Sequence, residues 1–267
     1  MNSVLKTLFA LLIMPLTLLA GGFKPFEGPK PIVVILVSDP WRMVIGSDTP
    51  NLVLYEDGQL IRLKVLPEDR SVYFWKQLTD KEFNEIKAQI HACGPFPSKP
   101  SRLSLTEATD QPETSVMIDF GEDRFLCSVY GLSWPKERSV PGVKGKSRLS
   151  KETRSLLTLL AKFTPTQMQE WKPRYIEAMV WPYEYAPEES IHWPKDWPGL
   201  SSESTVKRRD DSFSIFIPGS QLQRLTAFLA TRKEKGAVEI DGKKWAVSVR
   251  STFPSEPIWR KAFRAIE

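Results

Sequence analysis

Histidine and cysteine are scarce in this sequence, which has two of each among 267 residues. His91 and His192 lie in different halves of the chain, which leaves few ways to build a Ser-His-Asp or Cys-His catalytic site. Neither histidine is spaced with another as metal ligands are, and Cys93 and Cys127 form no C-x-x-C motif. Glycine-rich phosphate-binding motifs are also missing from the sequence. We therefore predict neither a metal site nor a cofactor.

Apolar runs long enough to cross a membrane are missing as well. The run at residues 7–19 is shorter than the ~20 residues that a membrane-spanning helix needs. Lys6 precedes this run and small residues follow it at 20–22, an arrangement typical of a secretory signal peptide. We therefore interpret residues 1–22 as a signal peptide, with an uncleaved anchor as the alternative. The protein is then expected to be extracytoplasmic, with no transmembrane segment after cleavage.

The charge of the chain is only mildly positive, at +5. Basic residues are interspersed with acidic ones, and the basic run at residues 207–209 is followed at once by Asp210 and Asp211. A nucleic-acid-binding protein would be expected to show a basic stripe, so we predict no nucleic-acid partner. Attraction to the anionic polymers of a cell envelope is compatible with this charge.

The two cysteines are candidates for a disulfide in an exported protein. Cys93 lies at the end of a predicted helix and Cys127 in a predicted strand, and a packed α+β unit could bring them together. Two buried free thiols are the alternative, and the sequence does not decide between them.

Two Asp-Gly pairs between apolar-rich runs predict hairpins. Asp57-Gly58 lies within residues 52–64, and Asp241-Gly242 lies within residues 237–250. A type I′ turn needs positive φ at both central residues, which glycine adopts without a steric penalty. A looser version surrounds Gly121.

Capping motifs predict the helices. Thr79 and Glu82 form a T-x-x-E capping box ahead of a helix at residues 80–91, and Ser150 is placed to cap a second helix. Ser220 and Gln223 suggest another capping box, for a helix that Gly236 ends.

These elements predict an α+β fold, in which antiparallel hairpins pack with capped helices. We divide the chain into a signal peptide at residues 1–22, an N-terminal α+β module at 23–164 and a C-terminal α+β module at 165–267. The order of elements suggests a duplicated β-β-α-β-β unit. The two modules could instead form one pseudo-symmetric domain.

Residues 171–197 are rich in aromatic rings, and three Trp-Pro dipeptides begin within them. Proline biases the preceding residue toward extended geometry, so the rings could form a stiff platform for a sugar ring or an extended peptide. The candidate ligand-binding residues are Trp181, Tyr183, Trp193 and Trp197. The alternative is that these rings cover a sheet face.

The leading functional hypothesis is an exported, non-catalytic binding protein whose partner is an envelope glycan or an envelope protein. One alternative is a hydrolase acting on envelope polysaccharide or peptide, although its candidate acids crowd into one loop, whereas a catalytic pair flanks the scissile bond. The candidate acids of this hydrolase are Glu184, Glu188, Glu189 and Asp196. The other alternative is a structural subunit of an envelope assembly.

Overall fold

A computed structural model describes residues 23–41, 48–67, 70–121, 123–132, 149–209 and 211–266. The predicted signal peptide lies outside the described residues. The described residues form an α+β fold of strands and helices. In chain order these elements are β1 (Pro31–Ser38), β2 (Pro50–Tyr55), β3 (Gln59–Val65), β4 (Ser71–Gln77), α1 (Asp80–Ala92), β5 (Ser101–Ser104), β6 (Glu113–Asp119), β7 (Arg124–Tyr130), α2 (Lys151–Lys162), β8 (Gln169–Glu170), β9 (Tyr175–Pro182), β10 (Glu188–His192), β11 (Thr205–Lys207), β12 (Phe213–Pro218), α3 (Leu222–Ala230), β13 (Gly236–Ile240), β14 (Lys243–Ser251) and α4 (Glu256–Arg264).

The strands form two sheets. The large sheet has eight strands in the order β5-β7-β6-β1-β2-β3-β4-β8, and the small sheet has six in the order β10-β13-β14-β9-β12-β11. Neighbouring strands are antiparallel except for β5 with β7 and β10 with β13. The prediction of a mainly antiparallel α+β fold is therefore confirmed.

The large sheet is covered on both faces. Val33 and Ile35 of β1 pack in a cluster with α1 and α2, whereas Val34 and Leu36 pack in a second cluster with α4. A strand that is buried on both faces needs apolar residues at every position, which explains the continuous apolar run of β1.

The helices α1 and α2 begin where the sequence predicts. The Thr79 side chain accepts the Glu82 N–H at 3.3 Å, and Glu82 Oε2 accepts the Thr79 N–H at 3.0 Å, so the capping box is present. Ser150 Oγ accepts the N–H of Thr153 at 3.1 Å. Both caps satisfy backbone donors that a helix start otherwise leaves unpaired.

The helix α3 begins differently from the prediction. Residues Gly219–Gln221 form a 3₁₀ turn, α3 starts at Leu222, and no side chain caps it. The predicted capping box of Ser220 and Gln223 is therefore wrong. A Cβ on Gly219 would lie 1.6 Å from the carbonyl oxygen of Pro173, so the turn is held in close contact with the preceding chain.

Both predicted Asp-Gly hairpins form, with different turns. Asp241 and Gly242 have φ of 51° and 74°, as a type I′ turn requires. In the loop between β2 and β3, only Gly58 has a positive φ, 83°, and its N–H donates to Tyr55 O at 3.0 Å. This hairpin has three loop residues, so the type I′ prediction is wrong there.

The two halves of the chain share an order of elements but not a pattern of pairing. The strand before α1, β4, and the strand before α3, β12, are each second from one end of their sheet. The first strand of the β6–β7 hairpin pairs with β1, but the second strand of the β13–β14 hairpin pairs with β9. The two hairpins therefore join their sheets through different strands, and the duplicated unit stays a prediction.

The predicted division near residue 164 stays a prediction, but the two parts share a core. β8 belongs to the large sheet, and α4 inserts Trp259 and Phe263 against the outer face of that sheet. The segment after residue 164 therefore completes the packing of the segment before it.

Candidate functional site

A groove of about 770 Å³ lies where the small sheet meets α4. Residues of β9, β12 and β14 form its floor, and α4 and the turn between β11 and β12 form its two rims. A groove of this size is within the range of small-ligand sites in proteins.

The alternation of β9 separates this groove from the core of the small sheet. Ile176, Ala178 and Val180 pack in the cluster that includes α3. Because neighbouring side chains of a strand point to opposite faces, Met179 and Trp181 face the other side, where they line the groove.

Glu177 lies on the groove side of β9 and is fully buried. Its carboxylate accepts hydrogen bonds from Ser214 Oγ at 2.5 Å and from the guanidinium of Arg208, and Arg250 forms an ion pair with its other oxygen. The register places Arg250 directly opposite Glu177 on the neighbouring strand. A buried carboxylate is tolerated because these cations and the hydroxyl replace water around it.

Glu256, the first residue of α4, is the second buried carboxylate, at 1% exposure. It accepts hydrogen bonds from Arg250 Nη1 at 2.9 Å and from Arg260 Nε at 2.5 Å, and Arg250 Nη2 lies 2.7 Å from its Oε1 in an ion pair. Burial alone would raise the pKa of Glu256, but the charges of Arg250 and Arg260 outweigh it and hold this pKa below its ordinary value. Burial alone would lower the pKa of Arg250, but the carboxylates of Glu256 and Glu177 outweigh it and raise this pKa above its ordinary value. Arg250 therefore joins β14 to β9 through an ion pair with Glu177 and to α4 through a charge-assisted hydrogen bond with Glu256.

Three more cationic side chains line the groove: Arg209 on one rim, and Lys261 and Arg264 on the other. All three are exposed, and none of them forms an ion pair with a residue that the structure describes. Arg208, Arg250 and Arg260 are paired with Glu177 and Glu256. The positive charge that is available to a ligand therefore comes from Arg209, Lys261 and Arg264.

The chain after the predicted signal peptide closes one end of the groove. The Phe26 ring lies 5.6 Å from the Phe216 ring in an edge-to-face contact, and the Phe23 ring lies 5.3 Å from the same ring. The Phe26 carbonyl accepts the N–H of Ser255 at 2.7 Å, immediately before α4. Phe26 therefore adds an apolar wall to a groove whose rims are basic.

The four predicted aromatic residues do not form one face. Trp193 and Trp197 are 8% and 6% exposed and pack on Phe228 of α3, with ring centroids 5.8 and 5.5 Å away. The Trp193 indole N–H donates to the carbonyl of Pro198 at 2.9 Å. The two rings belong to the core cluster of the small sheet and so are not part of an exposed platform.

Trp181 and Tyr183 lie at and just beyond the end of β9. Trp181 is half-buried and lines the groove. Tyr183 is also half-buried, and its backbone N–H donates to Lys244 O at 3.0 Å. Trp181 is therefore the predicted ligand-binding residue that the structure places in the groove.

None of the four acids considered for hydrolysis lines the groove. Asp196 is paired with Arg224, whose guanidinium lies 2.5 Å from it and holds the pKa of Asp196 below its ordinary value. Glu188 accepts the backbone N–H of Lys235 at 2.6 Å.

Cys93 and Cys127 are free thiols, so the disulfide considered from the sequence is not formed. Cys93 ends α1, where its Sγ donates to Gln89 O at 3.3 Å, and Cys127 lies in the large sheet at 2% exposure. Burial raises the pKa of both thiols. Both side chains contact the same core cluster, but as separate apolar groups.

A smaller cavity, of about 230 Å³, lies at the end of α1. His91 and Asp123 line it, and their side chains are 3.4 Å apart. Arg124 also lines it and donates to Asp119 at 3.2 Å. Its polar side chains thus already have partners, which makes it a weaker candidate than the groove.

The sequence analysis missed the helix that supplies one rim. In α4, Trp259 and Phe263 are four residues apart and face the large sheet, while Lys261 and Arg264 face the groove. An apolar pair at this spacing after Pro257 could have indicated an amphipathic helix with a basic side.

The residues that the structure describes contain no group of three side chains placed to hold a metal ion. Among these same residues, no helix is both long and apolar enough to span a bilayer.

Comparison of the chain with models of protein families, with curated proteins and with solved structures found no match.

Proposed function

We propose that this protein is an exported, non-catalytic binding protein that holds an anionic ligand in the groove between the small sheet and α4. The observation that carries the proposal is the set of three cations around the half-buried side chain of Trp181, namely Arg209, Lys261 and Arg264, which form no ion pair with the described residues. Cations that approach from two rims favour a ligand with more than one negative group.

The arrangement of the remaining charges supports binding in preference to catalysis. A general acid needs a pKa near the working pH, which burial or a like charge raises. Glu256 is instead held ionised by Arg250 and Arg260, with a lowered pKa. Its role is to hold Arg250 and Arg260 in place.

Export is supported by the sequence of residues 1–22, which has the charge, the apolar length and the small residues of a secretory signal. An extracytoplasmic protein meets anionic polymers of the envelope, which match the charge of the groove.

The first test compares dextran sulfate with neutral dextran as probes in a binding titration at physiological salt. We expect the wild-type protein to bind dextran sulfate and not dextran. The double substitution Lys261→Gln, Arg264→Gln should weaken binding about tenfold, since it removes two charged contacts. Circular dichroism checks that the variant is folded.

The matched control is Lys195→Gln, Lys235→Gln, which makes the same change in net charge outside the groove. Both lysines are exposed and form no ion pair with the described residues. The control should bind within about twofold of the wild type, because the charge it loses lies away from the ligand. Equal losses in the two variants, or no binding of dextran sulfate, would show that the groove is not an anion site.

A further inference from the structure

The groove offers many hydrogen-bond donors and few free acceptors. Guanidinium and ammonium groups donate only. Glu177 Oε1 accepts from Arg208 and Ser214 Oγ, and its Oε2 is held in an ion pair with Arg250. Glu256 accepts from Arg250, from Arg260 and from the N–H of Phe253, which lies 3.2 Å away. A ligand must therefore bring oxygen acceptors and place few donors against the floor.

An extended peptide meets this requirement poorly. The floor strands β9, β12 and β14 each have strand neighbours on both sides, and the edge strand β11 does not line the groove. Within the described residues the floor therefore offers no strand edge to pair with a peptide backbone. The N–H groups of a peptide in the groove would lack acceptors, and unpaired polar groups are costly when they are desolvated.

Nucleic acid also fits less well than the donors alone suggest. Single strands are held by several aromatic rings along a basic track. Three aromatic side chains line the groove, but Phe26 packs edge-to-face on Phe216 and Phe213 packs edge-to-face on Trp245, which leaves Trp181 to stack on a ligand. Among the described residues, the cations of the groove without an ion pair are Arg209, Lys261 and Arg264. A linear sugar polymer needs only one ring face and scattered anionic contacts.

We propose that the groove binds a short stretch of a linear acidic glycan, with the face of one sugar ring on Trp181 and its carboxylate or phosphate groups at Arg209, Lys261 and Arg264. This proposal rests on the anion-binding function above and names its ligand class. The hydroxyl and ring oxygens of the sugar accept from the groove, and hydroxyls on the open side keep water as their partner.

The experiment compares polygalacturonate, a carboxylated glycan, with poly-L-glutamate, a carboxylated polypeptide, and with oligothymidylate. Wild-type protein should bind polygalacturonate about tenfold tighter per binding site than poly-L-glutamate, because the glycan adds the ring contact and avoids unpaired peptide N–H groups. Trp181→Ala should weaken polygalacturonate binding about threefold to tenfold and leave poly-L-glutamate binding nearly unchanged.

Two further variants keep the result interpretable. Trp181→Phe retains an aromatic face and should keep most of the preference for polygalacturonate. If it does, the loss in Trp181→Ala comes from the missing ring and not from unfolding. Tyr185→Ala removes an aromatic ring that is 92% exposed and does not line the groove, and it should leave binding unchanged.

The outcomes separate this proposal from the proposed function. Equal affinity for polygalacturonate and poly-L-glutamate, or no effect of Trp181→Ala on polygalacturonate binding, would overturn the glycan proposal. Binding that still depends on Lys261 and Arg264 would then leave the anion site standing. Tighter binding of oligothymidylate would assign the groove to nucleic acid instead, and no binding of any polyanion would overturn both proposals.

Discussion

Glu256→Gln removes the charge on which Arg250 of the groove floor and Arg260 of α4 converge. The carboxylate is 1% exposed and lies 2.5 Å from Arg260 Nε and 2.7 Å from Arg250 Nη2. Glutamine keeps the size and one acceptor oxygen but leaves the guanidinium of Arg250 buried with less compensating charge. Breaking a buried ion pair by removing one partner costs about 3–5 kcal/mol. Arg250 keeps Glu177 as a partner, so we expect the lower end, about 3 kcal/mol.

Thermal unfolding at neutral pH, followed by circular dichroism, measures this cost. At about 2–4 °C per kcal/mol for a chain of this length, the Tm of Glu256→Gln should fall by about 6–12 °C. The control is Glu203→Gln, at an exposed residue without an ion pair among the described residues, and it should shift the Tm by no more than about 2 °C.

A double-mutant cycle with Arg260→Gln tests the coupling directly. If the two side chains share a buried ion pair, the double variant should be less destabilised than the sum of the single variants by about 1 kcal/mol or more. A Tm for Glu256→Gln near that of the wild type, or strict additivity in the cycle, would refute the reasoning that this carboxylate organises the groove floor.

Three further predictions concern acid stability, capping and the thiols. Burial opposes ionisation of Glu256, but Arg250 and Arg260 hold its pKa below the ordinary 4.5. The stability that it contributes is thus complete above that pH and lost as the pH falls through the lowered pKa, so melts between about pH 6 and pH 3 should fall more steeply for wild type than for Glu256→Gln. Thr79→Ala should cost about 1 kcal/mol in denaturant unfolding because α1 loses its capping box, whereas Thr79→Ser should retain most of the stability. Thiol titration of unreduced protein should find two free thiols in denaturant, with Cys127 unreactive in the native state at 2% exposure; finding no thiol would contradict the structure.

Local signals in the sequence predicted local structure well. The caps at Thr79 and Ser150 and the turn at Asp241-Gly242 depend on residues that are neighbours in the chain, and the structure confirms them. The Ser220 motif has the same pattern but lies in a 3₁₀ turn held against Pro173. That contact comes from a distant part of the chain, so no local pattern reports it.

The groove could be predicted only in part, because its residues come from separate segments. The aromatic residues around Trp181 in the sequence make it a candidate, but closeness along the chain does not place them on one face of the fold. Strand alternation sends Trp181 to the groove, while Trp193 and Trp197 pack in the core on the opposite face. The rims at Arg209 and in α4 come together only through the fold of the small sheet.

The position of α4 has a consequence for how the chain folds as it is made. Most strands of the large sheet are synthesised early, yet their outer face stays exposed to water until Trp259 and Phe263 reach it. A nascent chain that has not yet reached Glu256 would present this apolar face to chaperones or to other chains. Since α4 is also joined to the small sheet by ionic contacts through Arg250, we expect its docking to couple both sheets, which then unfold in one transition.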